Sequence, residues 1–182
     1  MATRRYAFSW DFVGNVREGR PNLGNSARIE VYRLFQYTMR DVVELRYGTE
    51  ASEEIMRECG ELAGRKFCER FIGPCENFDD FVATVQQVLL DFGIGILRVE
   101  TANYETSHFT LTVAEDLDCS GLTDMEHTVC HYDEGFLAGV LFSHAGVEFN
   151  VREIDCWCTG DRTCRFEARP RQKPQHTEKT PD

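Results

Sequence analysis

The stretch VCHYDEGFLAGVLFSHAGVEFNVREIDCWCTGDRTC, residues 129–164, decides how this chain folds. Within it, residues 133–145 have helical spacing, with Phe136, Leu137, Val140 and Leu141 on the core side and Gly146 as a stop. Residues 147–154 then read as a strand, so the chain reverses and carries Cys130 back towards Glu153, Cys156 and Cys164. Glu153 and Cys156 are three apart and would point to opposite faces of a regular strand; both can serve one site only if the strand bends or bulges near Asp155. Thr159-Gly160-Asp161-Arg162 is a hairpin-type turn that delivers Cys164.

Three potential thiolates and one carboxylate in this compass, Cys130, Glu153, Cys156 and Cys164, predict a zinc site. Thiolates are soft ligands, and zinc accepts carboxylate oxygen without a demanding geometry. Four protein ligands leave no position for an activated water, so such a zinc is structural or regulatory and not hydrolytic. The competing reading is of ordinary buried cysteines beside an exposed Glu.

Working outward, residues 27–47 form a helix ended by Gly48, whose Ile29, Tyr32, Leu34, Phe35, Met39, Val42, Val43 and Leu45 make an apolar face wide enough for more than one neighbour. A second helix covers 51–71, with Thr49 as its cap and Gly73-Pro74 as its stop. Cys59 and Cys68, nine apart, lie on opposite faces of it and are not a ligand pair. Asn77 or Asp79 caps a third helix through Phe92. The period then changes, and 94–101 and 107–113 form an antiparallel hairpin. Asp133 is the expected cap of the helix in the opening stretch, and Gly135 and Gly139 leave a bare stripe on it for a close neighbour. Helices followed by a meandering sheet with one helix inserted define an α+β fold, an antiparallel sheet with packed helices. Residues 1–26 are expected to be an arm, 27–168 the domain, and 169–182, with three prolines, a disordered tail.

Thirty-one acidic against twenty basic residues give a net charge of −11, which repels phosphate backbones and argues against nucleic acid as a partner. The first residues lack the apolar core of a signal peptide, and no run is long enough to span a membrane. The expected location is the cytoplasm, where eight cysteines favour metal or burial over disulfides.

The motifs Asp118-Cys119-Ser120-Gly121-Leu122, residues 128–139, Val151-Arg152-Glu153-Ile154-Asp155-Cys156-Trp157 and residues 159–166 resemble the 4-vinyl reductase (4VR) domain family. The resemblance implies a small-molecule-binding fold related to acyl-carrying vesicle-tethering subunits and nitric-oxide sensors, a homodimer, and zinc on Cys130, Glu153, Cys156 and Cys164. Cys158 departs from the family's usual small residue and is a possible substitute ligand. The chain has no phosphate-loop or helix-turn-helix signal, so regulatory output would pass through a protein partner.

The function expected is that of a zinc-stapled sensor or carrier for an apolar, aromatic or tetrapyrrole-like ligand, with Ile96, Phe109, Leu111 and Phe136 lining its pocket. An enzyme or accessory in reduction of a tetrapyrrole vinyl group is the first alternative, with His108, His131 or Tyr132 as proton donors. Against it, Gly93-Ile94-Gly95 leads into a strand and lacks the third glycine of a dinucleotide fingerprint, so an enzyme is the less expected outcome. A dimeric assembly module without ligand is the second alternative.

Overall fold

The computed structural model describes residues 4–171. They divide into two units, the first ending at Thr38 and the second beginning at Met39. The first holds a 3-10 turn at Trp10–Phe12, the short helix α1 (Val16–Gly19) and the opening of α2 (Ile29–Tyr47). Ser9 and Asn15 cap the two short elements through their side chains, accepting from Asp11 N and Glu18 N. Along α2 most of the apolar residues read as a wide core face are exposed: Leu34 is 68%, Phe35 67% and Leu45 84% accessible, while Tyr32, Met39 and Val43 are half-buried and Gln36 is the buried residue.

In the second unit, α3 (Thr49–Phe67) runs into a π-helical turn at Cys68–Ile72, followed by α4 (Phe78–Asp91). The sequence places one regular helix over 51–71; the structure starts it at Thr49, with Gly48 at the cap position and Thr49 inside, and widens it at Cys68. Asn77 caps α4, its Oδ1 accepting from Asp80 N at 2.9 Å. Strands β1 (Ile96–Asn103), β2 (His108–Ala114), β3 (Phe149–Asp155) and β4 (Cys164–Pro170) form one antiparallel sheet in the order β1-β2-β4-β3. This is the expected α+β architecture. β4 continues through Arg169 and Pro170, two residues into the expected tail, because Arg169 pairs with Asn150 and Pro170 with Phe149 at the sheet edge. The remainder of that tail, from residue 172, lies outside the described residues.

Between the hairpins lies α5 (His131–Ala145), which starts two residues before Asp133 and is capped by Cys130. It is buried over most of its surface, including Glu134, Gly135, Phe136, Leu137, Ala138 and Gly139. The cause is its packing on α3. A Cβ on Gly60 would lie 2.0 Å from Tyr132 O, on Gly64 2.1 Å from Phe136 O, on Gly135 1.9 Å from Arg57 O, and on Gly139 2.3 Å from Glu61 O. Four glycines therefore let the two helices touch backbone to backbone, and their numbers rise together, so the helices run parallel. The bare stripe of Gly135 and Gly139 faces α3.

Alternation on the strands is strict where the sheet meets the core: Phe109, Leu111 and Val113 of β2, Phe149, Val151 and Glu153 of β3, and Cys164, Phe166 and Ala168 of β4 are buried. The β3–β4 register shifts between Glu153 and Asp155, the irregularity that the spacing of Glu153 and Cys156 requires. A second shift falls between Val99 and Thr101.

Candidate metal centre

Four thiols converge at one end of the sheet. Cys119 lies in the loop leaving β2, Cys130 caps α5, Cys156 follows β3 and caps a 3-10 turn at Trp157–Thr159, and Cys164 opens β4. Each is 0% exposed, and the four sulfurs all lie within 4.8 Å of one another. Local hydrogen bonds hold the approach. Asp116 Oδ1 accepts from Asp118 N at 2.8 Å and Cys119 N at 3.0 Å, folding the loop so that Cys119 points inward. Thr159 Oγ1 accepts from Cys156 N at 3.1 Å, and Cys156 O accepts from Thr159 N and Asp161 N, a turn that Gly160 completes at φ 100°.

The sulfur separations suit a thiophilic ion. Zinc–sulfur bonds of about 2.3 Å in a tetrahedron put sulfurs about 3.8 Å apart. Cys130–Cys156 and Cys130–Cys164 are both 3.8 Å. Cys119–Cys164, at 3.1 Å, would open slightly around such an ion. Three of the four residues expected from sequence, Cys130, Cys156 and Cys164, are therefore joined by Cys119, which the spacing did not single out. Its contact with Cys164 depends on β2 lying beside β4, where Val113 pairs with Cys164.

Glu153 stands beside this group. Its Oε2 accepts from Cys130 N at 3.1 Å, and its Oε1 is buried without a hydrogen-bond partner among the described residues. Its backbone N donates to Glu134 Oε1 at 2.8 Å, and Glu134 Oε2 accepts from Arg57 Nε at 2.5 Å. Glu153 thus connects the thiols, through its carboxylate, to an ion pair on the α3–α5 seam, through its backbone N–H. Cys158 is also 0% exposed, but its thiol lies outside the group of four.

Close contact among the thiols and burial set the electrostatics of the group. Contacts with Cys119, Cys156 and Cys164, then burial, push the Cys130 thiol up, whereas Cys119, Cys130 and Cys164 together hold Cys156 low. Of these two, Cys156 is the thiol that its neighbours favour as a thiolate. Burial first, and the charge on Cys156 second, push the Glu153 carboxyl up to about 8. Burial, then Asp118, push Asp116 up to about 7. A bound divalent cation inverts this order, because a coordinating thiol is deprotonated outright.

The residues expected to line a pocket are placed as follows. Phe109, Leu111 and Phe136 are buried in the main core, and Ile96 is half-buried at the start of β1. Phe109 stacks on Phe78, with ring centroids 5.0 Å apart, and Phe136 meets Phe67 edge-on at 5.4 Å. Next to this aromatic layer a cavity of about 650 Å³ opens among Cys68, Cys75, Phe81, Phe142, Ser143 and His144. His144 stacks on Phe81 at 4.7 Å, and burial pushes the Cys68 thiol up to about 11. His131 is buried at the other end of α5, where its Nδ1 lies 3.0 Å from Arg40 Nη2. His108 Nε2 is 3.0 Å from Glu167 Oε1 on the sheet. Tyr132 is half-buried on α5. The three are not gathered into one proton-donating site.

An antiparallel sheet with α5 laid between its hairpins is a fold shared with several solved structures. The phenol-responsive sensory domain of the transcription activator PoxR, determined with phenol, matches with a TM-score of 0.58 at 15% identity, over 73% of this chain and 71% of that one. A vinyl-4-reductase family protein from Methanocaldococcus jannaschii matches with a TM-score of 0.60 at 17% identity, over 93% and 100%. Subunit 3 of a trafficking protein particle complex from Naegleria fowleri, covalently bound to palmitic acid, matches with a TM-score of 0.62 at 14% identity, over 79% and 95%. In sequence, an uncharacterised M. jannaschii protein is 26% identical over 156 residues, 86% of this chain and 83% of its own length. Residues 109–170 match the V4R domain, from β2 through α5 to the end of β4. Over that span the chain carries a V4R domain, and it shares its fold with a solved vinyl-4-reductase family protein.

Proposed function

We propose that this chain is a metal-stapled ligand-binding domain, a sensor or carrier for an apolar or aromatic small molecule, with tetrapyrroles among the candidates. The observation that carries the staple is the set of four fully buried thiols within 4.8 Å. Zinc is the ion that this donor set favours. In this reading Cys119, Cys130, Cys156 and Cys164 are the ligands, and Glu153, expected from sequence as a fourth ligand, instead orients Cys130 from outside the thiol set. The ion would fix the ends of β2, α5, β3 and β4 together, which is a structural role.

The ligand reading rests on the aromatic layer and its adjoining cavity. A volume of about 650 Å³ falls within the usual range for small-molecule sites, roughly 300–1,000 Å³. Phe81 joins that cavity to Phe78 and thus to Phe109, so Phe109, Leu111 and Phe136 are proposed as the inner wall, whereas Ile96, which pairs with Ala114, lies on the other face of the sheet from Leu111. The PoxR sensory domain, solved with phenol, supports an aromatic ligand. A second copy of the chain is the proposed partner on the exposed α2 face, with a further protein taking the output. Among the described residues no helix is long and apolar enough to cross a membrane, and a cytoplasmic location is proposed with the rest.

Native mass spectrometry and an absorption spectrum of freshly purified protein test this reading. Bound metal together with a small molecule, or saturable uptake of added phenol or protoporphyrin, is the expected result. Leu111→Trp, which fills the inner wall, should weaken that uptake at least tenfold and leave metal content unchanged. Metal-free protein, or uptake indifferent to Leu111→Trp, would contradict the reading.

A further inference from the structure

Beyond the four thiols, the same buried region holds carboxylates that one tetrahedral ion does not use. Asp116, just past β2, and Asp133, in the first turn of α5, each bring an oxygen into a group with Cys130 Sγ whose members all lie within 4.8 Å of one another. Asp116 is fixed there by the backbone N–H groups of Asp118 and Cys119. Asp133 Oδ2 is sealed from solvent and has no hydrogen-bond partner among the described residues. Across the cluster, Glu153 is 9% exposed and its Oε1 is in the same condition. Asp133 and Glu153 thus each bury a carboxylate oxygen without a hydrogen-bond partner among the described residues, and burying such groups unpaired is costly.

Charge sharpens the point. Four thiolates and one divalent ion carry a net −2, and ionised Asp116 and Asp133 would take the region to −4 before Glu153 is counted. Asp116, Asp118, Cys164 and Glu153 are the charges that weigh most on Asp133, all of them acids. A second cation would offset that charge, and Cys130 is common to both groups.

We propose that Asp116, Asp133 and Cys130 hold a second divalent cation of the borderline zinc or cobalt(II) class, with the Cys130 thiolate bridging the two ions. A thiolate has lone pairs for two metals, and the carboxylates supply the oxygen donors zinc also accepts. Three protein donors leave one position for an exchangeable ligand, which separates this site from the closed four-thiolate one. The inference rests on the proposed thiolate site, since Cys130 bridges only as a ligand of the first ion.

The test strips the full chain of metal and titrates it with zinc, counting ions per chain by native mass spectrometry. A parallel cobalt(II) titration follows the sulfur-to-cobalt absorption of the first equivalent. The wild type should take two ions, and Asp116→Asn and Asp133→Asn should each take one while keeping the first-equivalent absorption. That retained absorption also reports that each variant is folded. Saturation of the wild type at one ion overturns this proposal alone; binding of none overturns the thiolate site and this proposal with it. Two ions retained by both variants would place the second ion elsewhere, and loss of both ions with the absorption would assign the carboxylates to the first site. Either outcome overturns the bridged pair.

Discussion

Replacing Gly135 by alanine would place a methyl carbon 1.9 Å from the carbonyl oxygen of Arg57 and 2.8 Å from Glu61 N. Ordinary contact begins near 3.4 Å, so α3 and α5 would have to separate by 1.5 Å at this point. The atoms met are helix backbone, which cannot swing aside as a side-chain end can. Separation would also loosen the reciprocal contacts at Gly60, Gly64 and Gly139 and stretch the Arg57–Glu134 pair at 2.5 Å. Overpacking of this kind costs about 1–3 kcal/mol, sometimes more, against a gain of about 1 kcal/mol from the higher helix propensity of alanine. With backbone on both sides, the upper end applies, and the net expectation is a loss of about 2 kcal/mol. Urea denaturation of the wild type, Gly135→Ala and Gly19→Ala measures it. Gly19 lies in helix α1 with nothing within 4 Å of an added Cβ, so its variant should be unchanged or slightly more stable. A Gly135→Ala protein as stable as the wild type would refute the backbone contact between α3 and α5.

Cys68 gives a pH dependence whose sign follows from its burial. A thiol raised from 9.0 to about 11 in the folded chain keeps its proton where the unfolded chain loses it, so stability should fall as pH rises from about 9 to 11. That rise corresponds to about 2 kcal/mol after allowance for partial solvation, and Cys68→Ala should show a correspondingly flatter profile in alkaline urea titrations. On α2, Phe35→Glu with Met39→Glu should convert a homodimer into soluble monomer, read by light scattering at micromolar concentration. A wild-type monomer under those conditions would remove the basis for a partner on that exposed face.

Much of the metal end of the fold is legible in residues 129–164. The spacing of Phe136, Leu137, Val140 and Leu141 with Gly146 defines α5, and the period-2 run after it defines β3. The three-residue interval from Glu153 to Cys156 even requires the register shift that the sheet has between Glu153 and Asp155. Cys119 is not legible in the same way. Its sulfur reaches Cys164 because β2 and β4 are neighbours while β3 stands at the edge, and sheet order is a long-range property that local spacing does not carry. The π-helical turn at Cys68 escapes notice for a related reason, since the apolar pattern through Phe71 continues as in a regular helix. The face of α2 teaches the opposite lesson: its apolar residues are correctly seen to be many, yet Leu34, Phe35 and Leu45 stay exposed in the single chain. Composition along a helix says that a face seeks cover, and not whether the cover comes from the same molecule.

The most direct test of the metal site separates Cys119 from Glu153 as the fourth ligand. Metal-stripped protein receives one equivalent of cobalt(II), and the sulfur-to-cobalt absorption is compared among the wild type, Cys119→Ser, Cys156→Ser and Glu153→Gln. Four thiolates predict that each serine variant loses about a quarter of the absorption per bound ion and yields its metal to a chelator sooner, while Glu153→Gln keeps the full absorption. Unchanged absorption in Cys119→Ser, with a ligand lost in Glu153→Gln, would contradict the four-thiolate centre.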